Sequence, residues 1–180
     1  MSVPTLYIHG TDYSDYYDFH TLRIQEHLQV RGFIMSVSIS IPQAAIARPH
    51  SGQEIRYIDS DGTILYAGRI GSLTERQVGN PTVWRYDLSC IDYTIDFDMH
   101  LKNGVLPAQL AGDMIRSLVA TVGRGFTANN VVDAIVLNSF ETHYDLPSQL
   151  VTRVAESIEH QWYIDYERDI HFFYILDRTA

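Results

Sequence analysis

The chain has 180 residues, 46% of them hydrophobic, and a formal charge of −9. That length leaves one or two compact units open and supplies enough apolar mass for a core without staples. An acidic chain whose 13 basic residues are scattered is excluded as a sequence-specific nucleic-acid binder, because such binding rests on Lys and Arg neutralising phosphates. Residues up to about 100 read as strands. Leu22, Ile24, Leu28 and Val30 alternate with polar neighbours, the period of a half-buried strand, with Glu26 interrupting the apolar face. After a turn near Arg31-Gly32, Phe33, Met35, Val37, Ile39 and Ile41 alternate with a serine-rich face. Pro42 and Pro49 bracket a loop. "EIRYI" and "TILYAGRI" flank Asp59-Ser60-Asp61-Gly62, a strong hairpin signal. Gly68 inside the second run predicts a bend or bulge. A turn at Gly79-Asn80-Pro81 leads to Trp84, Tyr86, Leu88 and Cys90, alternating with Arg85, Asp87 and Ser89. Antiparallel strands of this number need closure or cover for their edges, so a small barrel or tightly curled sheet is predicted over 1–100.

From residue 101 the period changes. Leu110, Met114, Ile115, Leu118 and Val122 recur at helical spacing, with Pro107 suited to the first turn and Gly123 to the stop. "AIVLNSF" reads as a strand, and Asp145 as the cap of a second helix carrying Leu146, Leu150, Val151, Val154, Ala155 and Ile158 inward. An aromatic hairpin, "WYIDYERDIHFFYI", follows; it has no glycine, which favours a longer loop through Tyr166–Asp169 over a tight turn. Residues 101–180 are therefore predicted to be a small α+β domain, two helices packed on a C-terminal hairpin. Phe172 and Phe173 make both faces of its last strand apolar, so that strand requires cover on both sides. The fold class of the whole chain is therefore α+β, an antiparallel β-barrel or curled sheet followed by a small helix-strand-helix-hairpin domain.

Chemistry-bearing motifs are sparse. One cysteine, Cys90, excludes an intrachain disulfide and a Cys-based zinc site; its place in an alternating run predicts a small core residue. Asp96, Asp98 and His100 stand at i, i+2 and i+4, and in an extended strand would share one face able to hold a divalent ion. Asp59, Asp61 and Gly62 resemble the start of a calcium loop, but Ile70 stands where its last acidic ligand is needed. No Gly-x-Ser-x-Gly, His-Glu-x-x-His or phosphate-cradling glycine loop is present, and the eight histidines are dispersed; no enzyme and no cofactor is expected. No 18-residue apolar run exists, so this segment is not expected to insert in a membrane. The run "TDYSDYYDFH" sets Tyr13, Tyr16 and Tyr17 beside Asp15, a composition that suits a loop over a barrel end, a protein interface or a saccharide face.

The order of "DGTILYAGRI", "WRYDLSCIDYTIDFDMHL", "GRGFT", "AIVLNSF" and "LPSQLVTRVAESIEHQWYIDYERDIHFF" resembles the N-terminal part of phage tail and baseplate hub proteins, the family that includes the spike-carrying hubs of contractile tails and type VI secretion. Gly68-Arg69-Ile70 and Tyr86-Asp87-Leu88-Ser89-Cys90-Ile91-Asp92-Tyr93 match the family's tail-tube-like β-barrel, and Trp162, Ile164, Asp165, Ile170, His171 and Phe172 match its inserted α/β domain. The likeness runs from about residue 55 to 176.

The resemblance implies a structural virion component at the tail tip, made in the bacterial cytoplasm. It implies assembly with copies of itself into a trimeric ring that continues the tail tube, meets distal tail proteins and carries a central fibre or spike. Because such hubs have a second barrel after the insertion, the chain is expected to be an N-terminal fragment of a larger protein or a minimal member. Two other readings stand beside this one: a carbohydrate- or receptor-binding module using the Tyr/Asp run, and a metal-assisted or carboxylate-based hydrolase using Asp96, Asp98 and His100.

Overall fold

The computed structural model describes residues 4–27, 32–42, 46–79, 81–133 and 135–174. The chain divides after Asp92 into two units, so residues 93–100, read with the sheet from sequence, fall in the second. The first unit holds β1 (Thr5–Ile8), β2 (Thr11–Asp12), β3 (Tyr17–His27), β4 (Gly32–Pro42), β5 (Glu54–Ile58), β6 (Ile64–Val78) and β7 (Val83–Asp92). They form one antiparallel sheet in the order β2-β1-β5-β6-β7-β4-β3.

The alternation in sequence becomes the core directly. Met35 pairs with Cys90, Val37 with Leu88 and Ile39 with Tyr86, and all six side chains are buried. Cross-strand neighbours on one face are the unit of sheet stabilisation. Leu6, Ile8, Ile55, Tyr57, Tyr66 and Ile70 continue that core across β1, β5 and β6. The other face is polar: Ser38 donates to Asp87 Oδ1 at 2.6 Å, and Asp87 also pairs with Arg76 and Arg85.

Register shifts between Tyr57 and Ile58, between Ile70 and Ser72, and between Asp18 and Arg23 curl the sheet, since a bulge bends its strand and increases local twist. The curl brings the end strand β3 back toward β1. Tyr17 donates its hydroxyl to Pro4 O at 3.0 Å, and its ring lies edge-on to Tyr57 at 6.0 Å. Between β2 and β3 the ladder stays open among the described residues. The turn expected at Arg31-Gly32 lies largely outside the described residues.

The second unit holds α1 (Thr94–Phe97), β8 (Lys102–Leu106), β9 (Gln109–Leu110), α2 (Ala111–Val122), β10 (Thr127–Val131), β11 (Val136–Leu137), β12 (Phe140–Asp145), α3 (Pro147–Ser157), β13 (His160–Ile164) and β14 (Asp169–Tyr174). The aromatic hairpin β13–β14 gains β10 as a parallel third strand. α2 packs beside β10 and α3 beside β13, burying Met114, Ile115, Leu118, Leu150, Val151 and Val154 with Trp162, Ile164, Ile170 and Phe172. Phe172 is fully buried; Phe173, on the opposite face, is half-buried against Tyr163.

Four local expectations are corrected. Residues 94–97 form a helical turn where a strand was predicted. Tyr93 and Phe97, four apart, are both buried while Met99 is 56% exposed, so a spacing of four outweighs a spacing of two. Pro107 lies before β9, outside the helix, which starts at Ala111; Pro147 takes the first-turn position of α3. The N-terminus of α3 is closed by Leu146 N–H donating to Gln149 Oε1 at 3.3 Å. Asp145 instead receives His143 N–H and Arg153, each at 3.2 Å. Within "AIVLNSF", Val136–Leu137 is a two-residue strand and Phe140 begins the next.

Candidate functional site

The Tyr/Asp run separates into residues with different duties. Tyr13 is 2% exposed and donates its hydroxyl to Ala47 O; burial, with Tyr86 nearby, pushes its pKa up. Tyr17 serves the curl of the sheet. Tyr16 is half-buried and its carbonyl accepts from Ser40 N–H at 2.8 Å. Asp12 and Asp18 fold their carboxylates onto the backbone of Ser14 and His20, a local bond that short acids make readily in turns. Asp15 remains exposed. Of the four residues named from sequence, Tyr13 is thus withdrawn from the surface, while Asp15 is exposed and Tyr16 and Tyr17 are half-buried. On this unit a shallow groove of about 360 Å³ lies along β1 and β5, lined by Tyr7, His9, Glu54, Arg56 and Ile58.

Asp96, Asp98 and His100 are dispersed by the helical turn. Asp96, 5% exposed, accepts from Arg168 Nη2 at 3.1 Å. Asp98 accepts from Ser148 N–H at 2.8 Å and Ser148 Oγ at 2.5 Å, so it supplies an acceptor to the first turn of α3. Burial raises its pKa against the opposing effect of those two bonds. His100 is exposed.

A different set converges. Asp165, Asp169 and His171 place possible ligand atoms within 4.8 Å of one another at the β13–β14 turn. Hydrogen bonds account for their placing. Asp165 Oδ1 accepts from Glu167 N–H at 2.9 Å and Asp169 N–H at 2.8 Å, while Oδ2 lies 3.0 Å from His171 Nε2. Asp169 accepts from Thr127 Oγ1, Asn129 N–H, Asn130 N–H and Asn130 Nδ2. Tyr163 stacks on His171 at 4.5 Å. These carboxylates staple a turn and a strand. Asp165 and His171 stand in the stretch likened to an inserted α/β domain, but their convergence with Asp169 depends on a turn type that the sequence does not fix.

Cys90 is fully buried, and burial pushes its thiol up to about 12. The thiolate is the reactive form, so native protein is expected to resist a thiol-specific reagent and to label stoichiometrically in denaturant. Rapid labelling of the folded chain would contradict the packing described.

The second unit also presents apolar side chains to solvent: Met99, Leu101, Val105, Ile135, Val136 and Tyr144 are each more than half exposed. Several lie on the two-stranded pairings β8–β12 and β9–β11, and such ribbons are marginal alone in water. Exposed apolar surface of this kind suits a protein–protein contact.

No protein-family model matches the sequence, and no curated protein matches it. Solved structures do match. The 43 kDa tail protein of prophage MuSo2 from Shewanella oneidensis superposes with a TM-score of 0.74 at 14% identity, covering 94% of this chain and 52% of its own. A tail protein from Neisseria meningitidis gives 0.63 at 17% identity, covering 94% and 49%. An Escherichia coli component of the type VI secretion system, similar in structure to bacteriophage T4 tail proteins, gives 0.63 at 12% identity, covering 93% and 48%. The chain thus spans about half the length of the solved structures it matches. Over 93–94% of its length the chain shares the α+β fold of these solved tail and secretion proteins.

Proposed function

We propose that the chain is a structural component of a phage tail tip or baseplate, a hub protein that joins copies of itself in a ring continuing the tail tube and carrying the central fibre or spike. The observation that carries this reading is the likeness of fold over 94% of the chain to a prophage tail protein. The exposed apolar side chains of the second unit supply surface for such contacts. The carboxylates named from sequence are held by Arg168 and Ser148, which suits building material better than a reactive centre. Adjacent tail-tube, distal tail and fibre or spike proteins are the partners this role implies.

The charge of −9 fits a conduit for DNA. Carboxylates facing a lumen repel phosphates within a Debye length, about 8 Å at physiological salt. Sedimentation velocity over a range of concentrations tests the assembly. Trimers or larger rings are expected to form as concentration rises, and a monomer that persists at the highest soluble concentration would defeat ring formation by this chain. A density map of the ring with a basic lumen would defeat the repulsion argument.

A further inference from the structure

At the tip of the β13–β14 hairpin, Arg168 has φ 68°, a conformation unfavourable for any residue with a Cβ. Arg168 N–H donates to Asp165 O at 3.1 Å and Asp165 N–H to Asp169 O at 3.0 Å. This is the three-residue hairpin loop that ends in a left-handed residue, where glycine is the usual occupant. Strain of this sort persists only where surrounding contacts over-determine it. Here two are backbone bonds, Arg168 N–H to Asp165 O and Thr127 N–H to Arg168 O at 3.1 Å each, and the others come from the guanidinium. Nη1 donates to Arg124 O at 2.7 Å and Nη2 to Asp96 Oδ2 at 3.1 Å, while the group lies 4.3 Å from the Tyr93 ring and 5.8 Å from that of Phe126.

Two of those partners, Tyr93 and Asp96, belong to the leading segment of the second unit, which cannot order itself. α1 is one turn, with Phe97 N–H donating to Tyr93 O and Asp98 N–H to Thr94 O, each at 3.0 Å, and no side chain caps its start. A single turn fixes several residues for very few bonds, so helix nucleation is unfavourable. Its order must come from tertiary contacts: Phe97 against Phe126 at 5.2 Å, Asp98 on Ser148, and Arg168.

We infer that Arg168 is a latch. The strained turn aims its guanidinium at Tyr93 and Asp96 and keeps the Tyr93–Asp98 segment closed; when the guanidinium is withdrawn, that segment opens locally while the three-stranded sheet and the two long helices stay folded. The device lies in the second unit and does not depend on the tail assignment.

Amide hydrogen exchange on the full chain tests it. Arg168→Gly suits the turn, since glycine adopts φ near 68° without cost, yet removes the latch. Exchange at Phe97 and Asp98 is expected to rise about tenfold or more, with amides of Trp162–Phe172 staying within about twofold of wild type. Asp96→Asn, which leaves the turn alone, should move the same two amides in the same direction. Arg168→Lys should fall between, because an ammonium cannot both fork between two oxygens and stack. Wild-type exchange at Phe97 and Asp98 in Arg168→Gly, or in Asp96→Asn, would overturn the latch. So would an equal rise across the hairpin, which would make Arg168 a support of the whole unit.

Discussion

Gly68→Ala is expected to remove about 3 kcal/mol or more from the first unit, among the largest effects of any single methyl group in this chain. A Cβ at Gly68 would stand 2.7 Å from Asp92 Cα and 2.9 Å from Ile91 C, with the Ile91 carbonyl oxygen closer still. All three are backbone atoms, so no rotamer change relieves the clash. Nor can β6 retreat. At this point it is paired on both sides, Gly68 with Asp92 of β7 and with Ile55 of β5. The far end of β7 is itself fixed, since Asp92 Oδ2 accepts from Phe33 N–H at 2.7 Å.

Gly71→Ala is the matched control. Its Cβ would meet Ile91 Cδ1 at 3.2 Å and Cγ1 at 3.4 Å, the end of a side chain that can turn away, and a cost below about 1 kcal/mol is expected. In urea, with a slope of about 1–3 kcal/mol per molar, Gly68→Ala should lower the midpoint by about 1–3 M and Gly71→Ala by much less. Equal midpoints for the two variants would show that β6 and β7 are not in backbone contact at Gly68.

How much of this was legible depended on whether the cause of each feature lay nearby in sequence. β4 and β7 could be read from their alternation because one face of each is buried and the other polar. The hairpin at Asp59–Gly62 declares itself locally, and Gly62 does take a positive φ of 91°. By contrast β10 reads "TANNV", with no apolar period; it is a strand because a carboxylate some forty residues later meets its N–H groups. α1 was hidden because Tyr93 and Phe97 fit a spacing of two as well as one of four. The Tyr/Asp run misled because composition cannot tell an inward ring from an outward one. Tyr13 points inward, where its hydroxyl finds Ala47 O. The Asp165, Asp169 and His171 cluster could not be seen because its geometry follows from a turn in which an arginine occupies a glycine's usual conformation.

That long-range carboxylate sets the second large effect: Asp169→Asn is expected to cost the second unit about 2–3 kcal/mol near neutral pH. Asp169 is nearly buried. Its Oδ1 accepts from the Thr127 hydroxyl and from Asn129 N–H at 2.9 Å; its Oδ2 accepts from Asn130 N–H at 3.1 Å and Asn130 Nδ2 at 2.7 Å. An asparagine amide puts a donor where two donors already point. Burial pushes the carboxyl up, but the donors together outweigh it and hold its pKa below the ordinary value. The sign follows from linkage. A carboxylate whose pKa is depressed on folding stabilises fully above its unfolded value, and that contribution is lost as pH falls through the folded value. Wild-type stability should therefore decline as pH drops below about 4, and the gap between wild type and Asp169→Asn should narrow with it. Trp162, buried in this unit, reports its unfolding by fluorescence in a Trp84→Phe background. A gap that stays constant or widens toward acid would show that the charge on Asp169 does not hold β10 to β14. If it does, Asn129 and Asn130 should lose amide protection in the variant before the β13–β14 ladder does, because β13 and β14 remain paired through their own backbone.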